Sequence, residues 1–316
     1  MLIGKNPLKE QPDWFKKNIE IIPLSNTVEV DDKNIKYFIW GDQSLPKVVL
    51  LHGFNAHSYW WSHIAPFFTE KYCVIALDFS GMGESDHREE YSQEIYSKEI
   101  KAVLEDAKCE KPICLAHSMG GAIAMYSTSI FPDLFSKIIL LDAVVILPPE
   151  KAEMMKSRRP KARMEIASDS IEAAVSRFRL MPPQPCQQEY VLEHIAKTSY
   201  KETELGWILK SDPKISNTYK YNDLHDAFTK LDCTLDYVYG QASQLVTQEV
   251  LEYMTYVGNL NESQIHSLPG AMHHLFLDMP LEFIDLVFNS NCNKFNLDAL
   301  NAVSYTHLTL QTNREV

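Results

Sequence analysis

The chain is 316 residues long, 45% apolar and 11% aromatic, with 42 acidic against 30 basic side chains and a formal net charge of −12. That is apolar material for one large α/β domain or two small ones, and the acidic balance speaks against nucleic acid or an anionic membrane surface as a partner. No apolar run reaches the length of a membrane span, the opening MLIGKNPLKEQPDWFKKN lacks the apolar centre of a signal peptide, and the cysteines (Cys73, Cys109, Cys114, Cys186, Cys233, Cys292) show no metal-ligand spacing, so a cytoplasmic setting with no metal or cofactor is expected.

In chain order, 27–30 and 35–40 read as a hairpin around Asp31-Asp32-Lys33-Asn34. The run VVLL (48–51) suits a central parallel strand and ends in His52-Gly53-Phe54. A helix is expected over 58–68, then a buried strand CVIAL (73–77), and a helix over 91–107 with Ile95, Ile100, Val103 and Leu104 on one face. ICLA (113–116) and IILL (138–141) are two more buried strands, the second ending at Asp142. Strands alternating with helices predict a parallel sheet with helices on both faces, and ligands of such sheets bind at the carboxyl ends of the strands. Residues 148–224 break the alternation with helical patterns over 151–163, 170–180 and 187–198, the last two parted by Pro182-Pro183-Gln184-Pro185. A strand (235–239), a helix (247–257), a short strand (264–267) and a last helix (280–288) follow. Residues 303–316 resemble the translated read-through of a sequencing-library adapter and are set apart from the fold, so the natural chain end is not expected to be represented.

The stretch around Ser118 carries the chemistry. An apolar strand, a turn Ala116-His117-Ser118-Met119-Gly120 and a helix-like run put a serine at the apex of a strand–turn–helix, the context of a nucleophile elbow. The turn tolerates only small flanking residues, here Ala116 and Gly120. A serine between small residues is also an ordinary helix N-cap, so the motif alone decides little.

Four segments in order, LLHGF (50–54), LDFSGMGESD (77–86), AHSMGG (116–121) and PGAMHHLFLDMP (269–280), resemble successive landmarks of the α/β-hydrolase fold family, over about residues 20–290. Within it the chain is most similar to capped hydrolases of the serine-hydrolase-like and haloalkane-dehalogenase-like branches. The resemblance implies a mostly parallel, eight-stranded sheet flanked by helices, with core segments 20–147 and 225–290 and a helical cap over 148–224. It makes Ser118 the nucleophile and His273, seven residues before Pro280, its base.

The acid is where the sequence departs from the commonest pattern. The run Gly240-Gln241-Ala242-Ser243 has serine where most relatives have aspartate, and Asp236 falls inside the strand. The alternative family location, the end of the preceding strand, holds Asp142. The expected triad is therefore Ser118–His273–Asp142, with the backbone N–H groups of Phe54 and Met119 as oxyanion donors. Trp60 and Trp207 are candidate pocket residues. His57, His63, His194, His225 and His266 read as structural, and His274 is expected to point away from the site.

Carboxylic-ester hydrolysis of a small or medium apolar acyl compound is the expected reaction. Hydrolytic carbon–carbon cleavage of a β-diketone-type substrate, and an inactive binding protein on the same fold, are the alternatives. Dehalogenation and epoxide opening are disfavoured, because those relatives need aspartate where Ser118 stands. Oligomeric state is left open.

Overall fold

The computed structural model describes residues 11–157 and 164–289. The adapter-like tail, Cys292 and the end of the helix expected over 151–163 lie outside the described residues. Eight strands form the main sheet: β1 (Leu24–Val30), β2 (Lys33–Trp40), β3 (Lys47–Leu51), β4 (Cys73–Leu77), β5 (Ile113–His117), β6 (Lys137–Leu141), β7 (Thr234–Gly240) and β8 (Ile265–Leu268). Their order is β1-β2-β4-β3-β5-β6-β7-β8, antiparallel across β1–β2 and β2–β4 and parallel elsewhere. This is the mostly parallel α/β sheet expected.

The continuous apolar runs are explained by helices on both faces. Alternate side chains supply two separate cores: Val48, Leu50, Val74, Ala76, Leu115, Ile139 and Leu141 face one layer, and Val49, Leu51, Cys73, Ile75, Cys114, Ala116, Ile138 and Leu140 the other. Nearly all are fully buried. The helices Gln93–Asp106 and Met119–Ile130 pack together on the second face. Ser92 caps the first by accepting from the Ile95 amide at 3.1 Å.

Three local expectations are corrected. Residues 58–68 form two short 3₁₀ turns, Ser58–Trp61 and Ala65–Phe68, in place of one helix. Pro66 removes a backbone donor there, and the buried Asp78 carboxylate takes both the amide and hydroxyl of Ser58 at 2.6 Å. Tyr91–Ser92 is extended and pairs in parallel with Tyr219–Lys220. Residues 200–209, inside the insertion expected to be helical, form a hairpin of Tyr200–Thr203 and Gly206–Leu209.

Between β6 and β7 lie helices Pro149–Ser157, Ile171–Arg177 and Glu189–Thr198, then the hairpin. Polar bonds tie this insertion to the elements beneath. His57 Nε2 donates to Ser199 Oγ at 3.0 Å, His194 Nε2 to Ser62 Oγ at 2.8 Å, and Tyr91 Oη to Asp212 Oδ2 at 2.6 Å. His57, His63 and His194 thus hold structural contacts. The chain returns to the second core through Leu224 and Phe228 before entering β7.

Candidate active site

The parallel register sets neighbouring strand ends level. His117 stands opposite Leu141, and Leu141 opposite Val238. The next residues continue the ladder: Ser118 N donates to Leu141 O at 3.1 Å and Asp142 N to Val238 O at 2.8 Å. Ser118 and Asp142 therefore leave adjacent strands at the carboxyl edge of the sheet.

Ser118 has φ 53° and ψ −118°, a backbone conformation L-residues rarely adopt, and it opens the 12-residue helix Met119–Ile130. Small residues make this possible. A Cβ on Gly120 would meet the Leu51 and His52 carbonyl oxygens at 2.7 Å, and one on Gly121 would meet Ala143 Cβ at 2.4 Å. The helix N-terminus is thus pressed against the ends of β3 and β6. Ser118 is half-buried.

Asp142 also has positive φ (47°) and is fully buried. Three donors satisfy its carboxylate: His273 Nδ1 at 2.8 Å and Ser243 Oγ at 2.7 Å to Oδ1, and the Gly240 amide at 2.9 Å to Oδ2. Because the carboxylate only accepts, His273 donates from Nδ1, which in the neutral tautomer leaves the lone pair on Nε2. Ser243, at the position where most relatives carry aspartate, is thereby a donor to Asp142. Asp236 lies near the start of β7, away from the carboxyl edge, ion-paired with Lys137 Nζ at 2.5 Å.

His273 is held from several sides. Its carbonyl accepts from His117 Nε2 at 3.0 Å, and its ring lies 4.7 Å from that of His117. Two residues with no signal in sequence brace its loop. Asp278 Oδ2 accepts from the Met272 amide at 2.8 Å, and Gln184 of the insertion donates through Nε2 to both Asp278 oxygens at 2.9 Å. Gln184 Oε1 in turn accepts from the His274 amide at 3.1 Å. Burial pushes the Asp278 carboxyl up to about 6, against the opposing pull of the Met272 and Gln184 donors.

Among the described residues no hydrogen bond joins Ser118 Oγ to His273, a contact often long in unliganded hydrolytic sites. No hydrogen bond among them uses the amides of Phe54 or Met119, both half-buried. Gly53 lies against the serine: a Cβ there would be 3.2 Å from Ser118 Cβ and 2.9 Å from His117 Nδ1. Phe54 follows this glycine, and Met119 follows Ser118 at the helix start.

Trp60 is buried with its ring 5.5 Å from that of His274. Trp207 sits on the hairpin, where its backbone pairs with Ser168 and Glu202, not with an element carrying Ser118, Asp142 or His273. It packs against the same apolar cluster as Trp60. His274 does not point away from the site: its ring lies 4.8 Å from that of His273 and 5.4 Å from that of His117. Burial holds His117 and His274 far below the ordinary histidine range. Two surface clefts, of about 480 and 660 Å³, are lined by none of these residues.

A model of the α/β-hydrolase fold family matches residues 46–280, most of the chain. The chain belongs to the α/β-hydrolase fold family. A serine hydrolase-like protein of Danio rerio is 24% identical over 192 residues, 56% of this chain and 58% of that protein. Epoxide hydrolase 4 of Mus musculus is 32% identical over 120 residues, 36% of this chain and 33% of that protein. The matches thus span only about a third to three-fifths of these relatives' lengths. Among solved structures, the thioesterase domain from the curacin biosynthetic pathway superposes with a TM-score of 0.71 at 20% identity, covering 84% of this hydrolase-fold chain and 99% of that one. An esterase of Mycobacterium tuberculosis superposes with a TM-score of 0.65 at 20% identity, covering 89% and 98%. At such identities these superpositions concern the fold alone. No helix of the described residues is long and apolar enough to cross a membrane.

Proposed function

We propose that this protein is a serine hydrolase that cleaves a carboxylic ester of a small, apolar acyl compound through an acyl-enzyme. The observation that carries the reading is the buried His273 Nδ1–Asp142 Oδ1 bond of 2.8 Å at the same sheet edge as the strained Ser118 elbow. A serine hydroxyl is a weak nucleophile without a base, and a neutral imidazole with its Nδ1 proton held by a carboxylate presents a basic Nε2. His273 takes the Ser118 proton as Oγ attacks the carbonyl carbon, and Asp142 stabilises the imidazolium that forms. The amides of Phe54 and Met119 receive the developing oxyanion, Met119 with the positive end of its helix behind it.

His273 next protonates the leaving alcohol, and then draws a proton from the water that releases the acid. The insertion over 148–224 acts as a cap, with Trp60 and Trp207 facing its apolar interior. Serine at position 118 favours acyl transfer over epoxide opening, although an epoxide hydrolase stands among the relatives. The cytoplasmic setting is likewise a proposal, consistent with the free cysteines Cys73, Cys109 and Cys114.

Labelling with a fluorophosphonate probe tests the nucleophile. Modification of Ser118 in folded protein, abolished in Ser118→Ala, is expected, and an unreactive Ser118 would refute the reading. p-Nitrophenyl esters of increasing chain length test the substrate class, with short to medium acyl chains preferred.

A further inference from the structure

Three buried imidazoles, His117, His273 and His274, converge beside Ser118, each presenting a ring nitrogen within 4.8 Å of the others. Hydrogen bonding decides which nitrogens remain. His117 spends Nε2 on the His273 carbonyl and His273 spends Nδ1 on Asp142. His117 Nδ1 is buried with no partner, and so are both ring nitrogens of His274. The Met181 carbonyl lies near His274 and favours its charged form, yet makes no bond of normal geometry with the ring. Leaving buried polar nitrogens unpaired is costly, and a cluster of them requires an explanation.

The outer contacts have the form seen around metal-binding histidines. One ring donates its far N–H to a carboxylate and another to a backbone carbonyl, which fixes both tautomers with the lone pair on the remaining nitrogen. We infer that His117, His273 and His274 bind one late first-row divalent cation such as Zn²⁺, through His117 Nδ1, His273 Nε2 and a ring nitrogen of His274. Neutral imidazoles select such ions over Mg²⁺ or Ca²⁺, which prefer oxygen ligands. Nitrogens about 2 Å from a tetrahedral ion are about 3.4 Å apart, closer than the 4.8 Å within which the cluster's ring nitrogens lie, so the rings must move together to complete the set. A bound cation occupies the lone pair that His273 needs to accept the Ser118 proton, so it inhibits. That consequence rests on the catalytic reading of His273, whereas binding itself does not.

The test therefore reads binding without turnover. Full-length Ser118→Ala protein is titrated with Co²⁺ and followed by visible absorption, with Mg²⁺ as control. One Co²⁺ per chain with nitrogen-ligand d–d bands is expected, competed away by Zn²⁺ and unaffected by Mg²⁺. His274→Gln and His117→Gln, each added to that background, should weaken binding at least tenfold. Absence of Co²⁺ binding at submillimolar concentration in the unsubstituted cluster overturns the inference, whatever the fold of the variants. Equal affinity in folded His274→Gln and His117→Gln proteins also overturns it. With active protein, Zn²⁺ should reversibly inhibit ester hydrolysis, and His274→Gln should raise the inhibition midpoint at least tenfold relative to its own uninhibited rate. If no ester is turned over, the Co²⁺ titration still decides the site.

Discussion

Ser243 Oγ donates to Asp142 Oδ1 at 2.7 Å, the same oxygen that receives His273 Nδ1. A hydroxyl just after β7 thus steadies a carboxylate just after β6. Its own acceptance from the Leu245 and Val246 amides, at 3.3 and 3.4 Å, aims it at the carboxylate. Asp142→Asn should lower kcat by about 10³–10⁴-fold, because an amide cannot both hold the Nδ1–H tautomer and stabilise an imidazolium. Ser243→Ala removes one charge-assisted hydrogen bond of three, worth about 1.5–3 kcal/mol, so a loss of roughly 10- to 100-fold is expected. Steady-state kinetics on a p-nitrophenyl ester ranks the two. A Ser243→Ala defect as deep as that of Asp142→Asn would contradict this division of roles.

Gln184 couples the insertion to the loop that carries His273. It donates to Asp278 and accepts from the His274 amide, while Asp278 holds the Met272 amide. Gln184→Leu keeps the bulk and removes all three polar contacts. Since Gln184 touches neither Ser118 nor Asp142 by hydrogen bond, it acts by positioning. We expect kcat to fall about tenfold, with KM changed less than threefold and reactivity of Ser118 towards a fluorophosphonate falling in step, in line with the cost of misplacing a catalytic group. Unchanged kcat would show that the loop holds His273 unaided.

The buried histidines make stability depend on acidity. Burial lowers His52 and His194 to about 4 and His63 to about 3, and holds His57, His117 and His274 well below 6.5. In the unfolded chain they take up protons below about pH 6.5, whereas in the folded state His52 and His194 resist until near pH 4 and the others also resist well below 6.5. Stability is therefore fully present above 6.5 and is lost as pH falls towards 4, by about 1.4 kcal/mol per histidine per unit. Glu99, raised to about 7 by burial beside Arg88, and Asp278, at about 6, oppose this, because their stabilisation is present at low pH and fades as pH rises through those values. Burial raises Asp78 as well, which adds to that opposition, but the six histidines outnumber the three carboxylates. Urea unfolding at pH 7 and pH 5 should show a drop of several kcal/mol at pH 5, and stability that is flat or higher there would refute the balance.

The buried strands were legible because runs such as CVIAL and IILL have no polar face to show, and because Ser118 and Asp142 fall directly after two of them. The proposed acid, Asp142, was suggested by the family's alternative location at a strand end, given the serine at position 243, and its carboxylate does meet His273 Nδ1. The His274 contact was not, since neighbouring residues in an extended loop usually diverge and only the turn into Leu275–Asp278 brings both rings back onto His117. Gln184 and Asp278 are 94 residues apart and meet only through the way the insertion folds back. The 3₁₀ turns at 58–68 escaped a periodicity reading because apolar residues there are packed all round, with Trp61 and Phe68 fully buried.

Two glycines beside Ser118 separate catalytic fit from folding. The absent Cβ of Gly53 faces side chains, His117 Nδ1 at 2.9 Å and Ser118 Cβ at 3.2 Å. Gly53→Ala should therefore displace the serine and the amide that follows, lowering kcat about 100-fold, as loss of one oxyanion donor does, while costing no more than about 1–2 kcal/mol of stability. The Cβ position of Gly120 faces backbone, the Leu51 and His52 carbonyls at 2.7 Å, which cannot move without parting β3 from the helix Met119–Ile130. Gly120→Ala is expected to destabilise by more than about 3 kcal/mol, in the range of severe packing changes. Thermal unfolding and ester kinetics on both variants distinguish the cases. A stable, fully active Gly53→Ala protein would remove the His52-Gly53-Phe54 turn from the catalytic site.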